Sequence, residues 1–146
     1  MTTLHAAAGP DLTADRLYAI LRLRADVFVV EQACAYGDLD GRDLLASTRH
    51  LWFEAPDGAV SAYLRVLADP GGVTRIGRVV TAPVVRGQGL AAALMDAALA
   101  GATGEFVLDA QTYAQALYAR FGFVAEGEEF LEDGIPHITM RRAVLG

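Results

Sequence analysis

The chain has 146 residues, 53% of them hydrophobic and 21% charged, which suits a packed core and excludes a disordered polyelectrolyte. Twelve basic and 18 acidic residues give a formal charge of −6, which excludes broad electrostatic binding to nucleic acid or anionic lipid while allowing a local patch for one phosphate-bearing ligand. The single cysteine, Cys34, excludes an intramolecular disulfide and a cysteine-cluster metal site.

The opening MTTLHAAAGPDL has neither a basic start nor a long apolar run, so no secretion signal is expected. Residues 2–8 fit a short first strand, GPDLT a turn, and Thr13 a helix N-cap. From Ala14 to Val30, apolar residues at Leu17, Ile20, Leu21, Val27 and Phe28 follow a helical period. Residues 31–46 are polar, acidic and glycine-containing, and read as a loop. HLWFEA and AVSAYLRVLA flank Pro56-Asp57-Gly58 and form a hairpin; VTRIGRVVTA is a third β-rich run. An alanine-rich helix over residues 88–101 stops at Gly101. Its apolar stretch, Leu90 to Ala100, is broken by Asp96 and is too short to span a bilayer. EFVLDA is a continuous apolar strand, TYAQALYARFGF a short helix ending near Gly122, and IPHITMRRAV the final strand. The order β-α-β-β-β-α-β-α-β predicts one α/β (α+β) domain over residues 1–146, a mixed sheet flanked by helices. Both late strand-helix-strand passages are expected to be parallel crossovers. A cytoplasmic location is expected.

The stretch RGQGLA, residues 86–91, lies between a strand and a helix and suggests an anion grip. A nucleoside triphosphate loop needs a lysine, and this stretch has none. A dinucleotide fingerprint fits better on paper, since Gly87-Gln88-Gly89-Leu90-Ala91-Ala92 matches G-x-G-x-x-G/A and Asp109 lies twenty residues after Gly89. Six residues, including Pro83, separate Thr81 from Gln88, however, and only 37 follow Asp109, too few for a substrate domain. Two readings remain from the residues alone. The glycines let successive N–H groups converge on one anion at a helix N-terminus, or they merely make the turn into a helix.

Two segments resemble the GNAT N-acetyltransferase family. VVTAPVVRGQGLAAALMDAAL is similar to its acetyl-CoA segment, a strand, R/Q-x-x-G-x-G/A and a helix; EFVLDAQTYAQALYARFGF is similar to its next segment, with A-x-x-x-Y-x-x-x-G-F. LYAILRLRADVFVVEQACAYGDLDGRDL, TRHL and EDGIPHITM resemble the ElaA-like branch of small bacterial members, so the likeness covers residues 4–142. Ala91 stands where many members have glycine.

The resemblance implies the GNAT fold, with a splayed strand pair, and acetyl transfer from acetyl-CoA to a primary amine by direct attack in a ternary complex. It implies that the N–H groups of Gly87, Gln88, Gly89, Leu90 and Ala91 hold the CoA pyrophosphate, with Arg86 adding charge or orienting the loop. Val79, Val80 and Thr81 would lie along the pantetheine arm. Gln111 is a further expected cofactor contact, and Tyr118 the expected general acid for the departing thiolate. Candidate bases are Glu31, whose pKa burial would raise, His50 and His137; each has an ordinary alternative, a solvated carboxylate or a hydrogen-bonded structural imidazole. Glu31 with Asp38, Asp40 and Asp43 forms an acidic loop expected to draw a cationic acceptor: a polyamine, an aminoglycoside or a peptide amine. Cys34 reads as a small filler, and the scattered His5, His50 and His137 give no metal site. No nucleic-acid or membrane partner is expected, and the chain is expected to be a monomer or homodimer. A non-catalytic acyl-CoA sensor with the same fold is the alternative.

Overall fold

The structure, a computed structural model, describes residues 2–145. Seven strands form one sheet: β1 (Thr3–Ala8), β2 (Arg49–Glu54), β3 (Val60–Ala68), β4 (Thr74–Thr81), β5 (Phe106–Gln111), β6 (Val124–Glu132) and β7 (Ile135–Arg142), in the order β1-β2-β3-β4-β5-β7-β6. Helix α1 (Ala14–Arg24) follows β1, α2 (Leu90–Leu99) follows β4, and α3 (Gln115–Ala119) follows β5. The first eight residues of β3, Val60 to Leu67, are all buried, because α1 covers one sheet face and α2 the other. Residues of β3 serve two cores, with a bulge at Ser61 turning Val60 to the second. Ala62, Leu64 and Val66 pack with Leu94, Met95 and Phe106, while Val60 and Tyr63 pack with Ile20, Leu23, Val27 and Trp52.

The expected hairpin forms, with the Ala55 and Gly58 amides donating across the Pro56-Asp57-Gly58 turn. Thr13 holds the N-cap position of α1 without the expected side-chain cap bond. The helix expected to run to Val30 is α-helical only to Arg24. Beyond it the chain widens into a π turn, in which the Gln32 and Cys34 amides reach back five residues to the Val27 and Val29 carbonyls. The β-branched Val27, Val29 and Val30 crowd a regular helix, and the wider turn relieves them.

The second crossover needs correction. The passage from β4 through α2 to β5 is parallel, as expected. The final strand β7 is antiparallel to β5, because β6 intervenes in sequence and pairs with β7 at the sheet edge. All nine residues of β6 are exposed, so VAEGEEFLE carries no buried face to betray it.

β4 and β5 pair only at Thr74–Phe106 and Arg75–Val107, then diverge. Opposite this opening β4 carries a bulge: two residues, Arg78 and Val79, face Leu64 alone, and Arg78 takes a left-handed φ of 52°. Residues beyond the second pair therefore offer backbone groups to a widening cleft.

Candidate active site

The cleft between the diverging strands is a cavity of about 790 Å³. It brings together Glu31, Val79, Val80, Thr81, Arg86, Ala91, Gln111, Tyr118 and His137, residues as far as 106 positions apart. A smaller hollow of about 210 Å³ adjoins it, lined by Gly87, Gly89, Leu90 and Ala91 together with Arg120. Gln88 lines neither cavity.

The hollow is built from the backbone. Gly87 and Gly89 take φ of 83° and 75°, where a side chain is strained, and a Cβ on either would meet nothing within 4 Å. Among the described residues no main-chain carbonyl accepts from the amides of Gly87, Gln88, Gly89, Leu90 or Ala91. Those donors lie at the positive end of α2, so the loop could hold a phosphate anion without rearrangement. Arg86 braces the loop: its Nη atoms donate to both Glu31 oxygens at 2.6 and 2.7 Å, and Nε donates to the Thr81 carbonyl at 3.2 Å.

Tyr118 is 7% exposed and lines the cavity, with no hydrogen bond to its hydroxyl among the described residues. Burial raises its pKa above the ordinary phenol value, so the hydroxyl keeps its proton throughout the neutral range.

The three candidate bases separate. Glu31 is corrected: hydrogen bonds from Arg86 lower its carboxyl pKa, opposite to the expected rise. His50 is fully buried and does not line the cavity. Its Nε2–H donates to the Asp43 carbonyl at 2.8 Å, and its Nδ1 accepts from Tyr63 Oη at 2.6 Å, so both ring nitrogens are engaged; burial lowers its pKa. His137 lines the cavity, and its Nδ1–H donates to the Ile135 carbonyl at 2.7 Å. That bond places the free lone pair on Nε2, 3.5 Å from a Glu132 oxygen.

The acidic loop is also corrected. Asp38 and Asp43 are nearly buried and pair with Arg24, itself 0% exposed, at 2.9 and 2.7 Å. Asp40 receives two Arg65 donors at 2.9 and 2.8 Å. Although burial alone would raise its pKa, the Arg65 hydrogen bonds hold it well below the ordinary carboxylate value. Tyr36 and Arg78 add contacts to Asp38. These carboxylates face arginines within the protein, which offset the attraction expected for a cation. Asp109, the ribose-binding candidate of the dinucleotide reading, is held by Arg75 at 3.1 Å and Thr139 at 2.7 Å. Cys34 donates to the Asp133 carbonyl at 3.3 Å and ties the π turn to the β6–β7 turn.

Sequence reasoning missed Arg75, Arg78, Arg120 and Gln32. Gln32 and Gln111 join their side-chain amides across the cavity. The available signal was charge inside apolar strands, as in YLRVL and VTRIGRVV, which implies partners buried nearby.

A seven-stranded mixed sheet splayed at β4 and β5, with a glycine loop at the mouth, is the architecture of an acyl-CoA N-acyltransferase. The family model described as "Acetyltransferase (GNAT) domain" matches residues 24–144, and the chain belongs to this family, whose members use acyl-CoA. A UPF0039 protein of Mycobacterium tuberculosis is 54% identical over 144 residues, 95% of this chain and 92% of that one. Protein ElaA of Escherichia coli is 40% identical over 142 residues, 92% of each chain. The crystal structure of an acyl-CoA N-acyltransferase from Pseudomonas aeruginosa superposes with TM-score 0.90 at 48% identity, covering 98% of this chain and all of that one. That of Escherichia coli ElaA gives TM-score 0.90 at 37% identity, covering 97% and 99%. These likenesses place the chain in the ElaA-like branch. No helix among the described residues is long and apolar enough to cross a membrane.

Proposed function

We propose that the chain is a single-domain cytoplasmic N-acetyltransferase that moves the acetyl group of acetyl-CoA to a primary amine. The observation that carries this reading is the splay of β4 from β5, which opens beside five unpaired loop amides and the Tyr118 hydroxyl. The amides of residues 87–91 would hold the pyrophosphate, Arg120 would add positive charge beside it, and the exposed edge of Val79, Val80 and Thr81 would pair with the pantetheine arm. Gln111, joined to Gln32, would border that arm.

The acceptor arrives as an ammonium. His137 takes one proton at Nε2, and the Glu132 carboxylate stabilises the imidazolium that results. The nitrogen lone pair attacks the thioester carbon, the C–N bond forms, and the C–S bond breaks. Tyr118 donates its proton to the departing sulfur, and the second proton lost by the nitrogen replaces it. Glu31 and Arg86 orient the loop and exchange no protons.

The test is release of free thiol from acetyl-CoA across a panel of primary amines, with His137→Gln as comparison. Release with at least one amine, slowed about 100-fold or more in the variant, supports the reading. CoA binding without release by any amine replaces the enzyme with an acyl-CoA sensor.

A further inference from the structure

The acceptor side of the cleft is lined by Asp40, Asp109, Arg42, Arg65, Arg75 and Arg78, with Arg24, Asp38, Asp43 and Asp69 paired to them or to one another behind; the network is balanced in charge and unbalanced in hydrogen bonding. Every carboxylate is engaged. Asp69 takes Arg42 at 3.2 Å and Arg75 at 2.7 Å, and Asp109 takes Arg75 and the Thr139 hydroxyl.

The guanidiniums are not used up, because each carries five N–H donors. Arg75 commits Nε to Asp69 and Nη1 to Asp109, while Arg78 commits Nη2 to the Asp38 carbonyl at 3.1 Å. Among the described residues Arg75 Nη2 and Arg78 Nη1 have no partner, and neither is sealed from solvent. Both residues line the cavity. The wall therefore offers unused donors, while each of its carboxylates already faces a guanidinium.

The opposite end differs. There His137 presents Nε2 beside Glu132, and Asp133 joins the lining, so that end favours an ammonium. Register sets the spacing. His137 stands opposite Gln111, two residues along β5 from Asp109, to which Arg75 is bonded. At about 3.3 Å per residue those two β5 positions lie about 7 Å apart along the strand. Two ends anchored on one short stretch of strand suit a small acceptor that carries both an amine and a carboxylate. Gly77 faces Arg65 in register, and a Cβ there would meet nothing within 4 Å, so the floor between the two ends is open.

We propose that the acceptor is a small amino acid bound as a zwitterion, its ammonium toward His137 and Glu132 and its carboxylate on the free N–H groups of Arg75 and Arg78. This rests on the acyl-transfer reading above. A polyamine would set its second ammonium against guanidiniums.

The experiment compares thiol release from acetyl-CoA with the common amino acids, their primary amides, the corresponding decarboxylated amines, and polyamines. The amide loses its ammonium proton more readily than the acid does, so a preference for the acid cannot arise from amine basicity. The expected kcat/KM for the best amino acid exceeds that for its amide by about tenfold or more, as a charge-assisted contact predicts. Arg75→Gln should bring that ratio toward one, chiefly through KM. If the variant does not fold, the parent ratio decides alone. Amides, decarboxylated amines or polyamines performing as well as the acids would overturn the proposal while leaving acyl transfer standing. Release with no amine of any class would remove both.

Discussion

Tyr118→Phe removes one oxygen atom and little else. The Tyr118 ring meets Phe123 edge-on, with centroids 6.4 Å apart, and phenylalanine keeps that contact. No described residue bonds the hydroxyl, so its deletion leaves no buried partner unsatisfied, and stability should change by less than about 0.5 kcal/mol. The kinetic effect should be far larger. Burial raises the phenol pKa, so at neutral pH the group is a protonated donor at the cavity wall. A positioned general acid contributes about 10²- to 10⁴-fold, or about 3–5 kcal/mol of barrier. The expected result is a kcat lower by that factor at saturating acetyl-CoA and amine, with Kd for CoA within about threefold of the parent value. Thiol release gives kcat, calorimetric titration gives Kd, and thermal melting checks the fold. A kcat within about threefold of the parent would refute the general-acid role and leave Tyr118 a packing residue.

Gly89→Val should weaken CoA binding about tenfold or more in calorimetric titration, because the branched side chain occupies the anion's approach. The strained φ of 75° should also cost about 1–2 kcal/mol of stability; unchanged CoA affinity would take the loop out of the binding site. Arg24→Met should lower the unfolding free energy in urea by about 3 kcal/mol, since buried Asp38 and Asp43 lose a partner but keep Arg78 and Arg65. A loss under about 1 kcal/mol would mean that water or the other arginines replace Arg24 at no cost. Acid should destabilise the fold in two stages. Burial lowers the His50 pKa, so the unfolded imidazole binds its proton first and stability falls as pH drops through 6.5. Asp40 and Asp43 are held below the ordinary 3.8 by Arg65 and Arg24 against the opposing effect of burial. Their contribution is complete above that value and is lost as pH falls through their lower folded values. Melting temperatures measured from pH 7.5 to 2 check the first stage and the onset of the second, and a flat profile would contradict them.

Elements with a buried face were legible in the sequence because burial imposes a period. The apolar runs of β3 and β5 and the alanine-rich α2 read directly, and so did the glycine loop. β6 was not legible, because an edge strand held by backbone pairing to β7 needs no apolar alternation. The π turn was hidden because helical and π-helical spacing share their first apolar positions. Among the candidate bases, His50 and His137 look alike in sequence, each beside a strand start. Only the fold seals one against Tyr63 and opens the other to the cleft.

Local chemistry set by residue type was determined by the sequence alone. Glycine at 87 and 89 permits the left-handed turn, the following apolar helix supplies unpaired amides, and the spacing to Tyr118 identifies the family. The state of each charge was decided only by tertiary structure. Arg24 finds Asp43 across 19 residues, Arg75 finds Asp109 across 34, and Arg86 finds Glu31 across 55. Coulomb energy depends on distance in space and on local burial, neither of which is written along the chain. An acidic loop that reads as a lure for cations is therefore, once folded, the buried counterweight to an arginine wall.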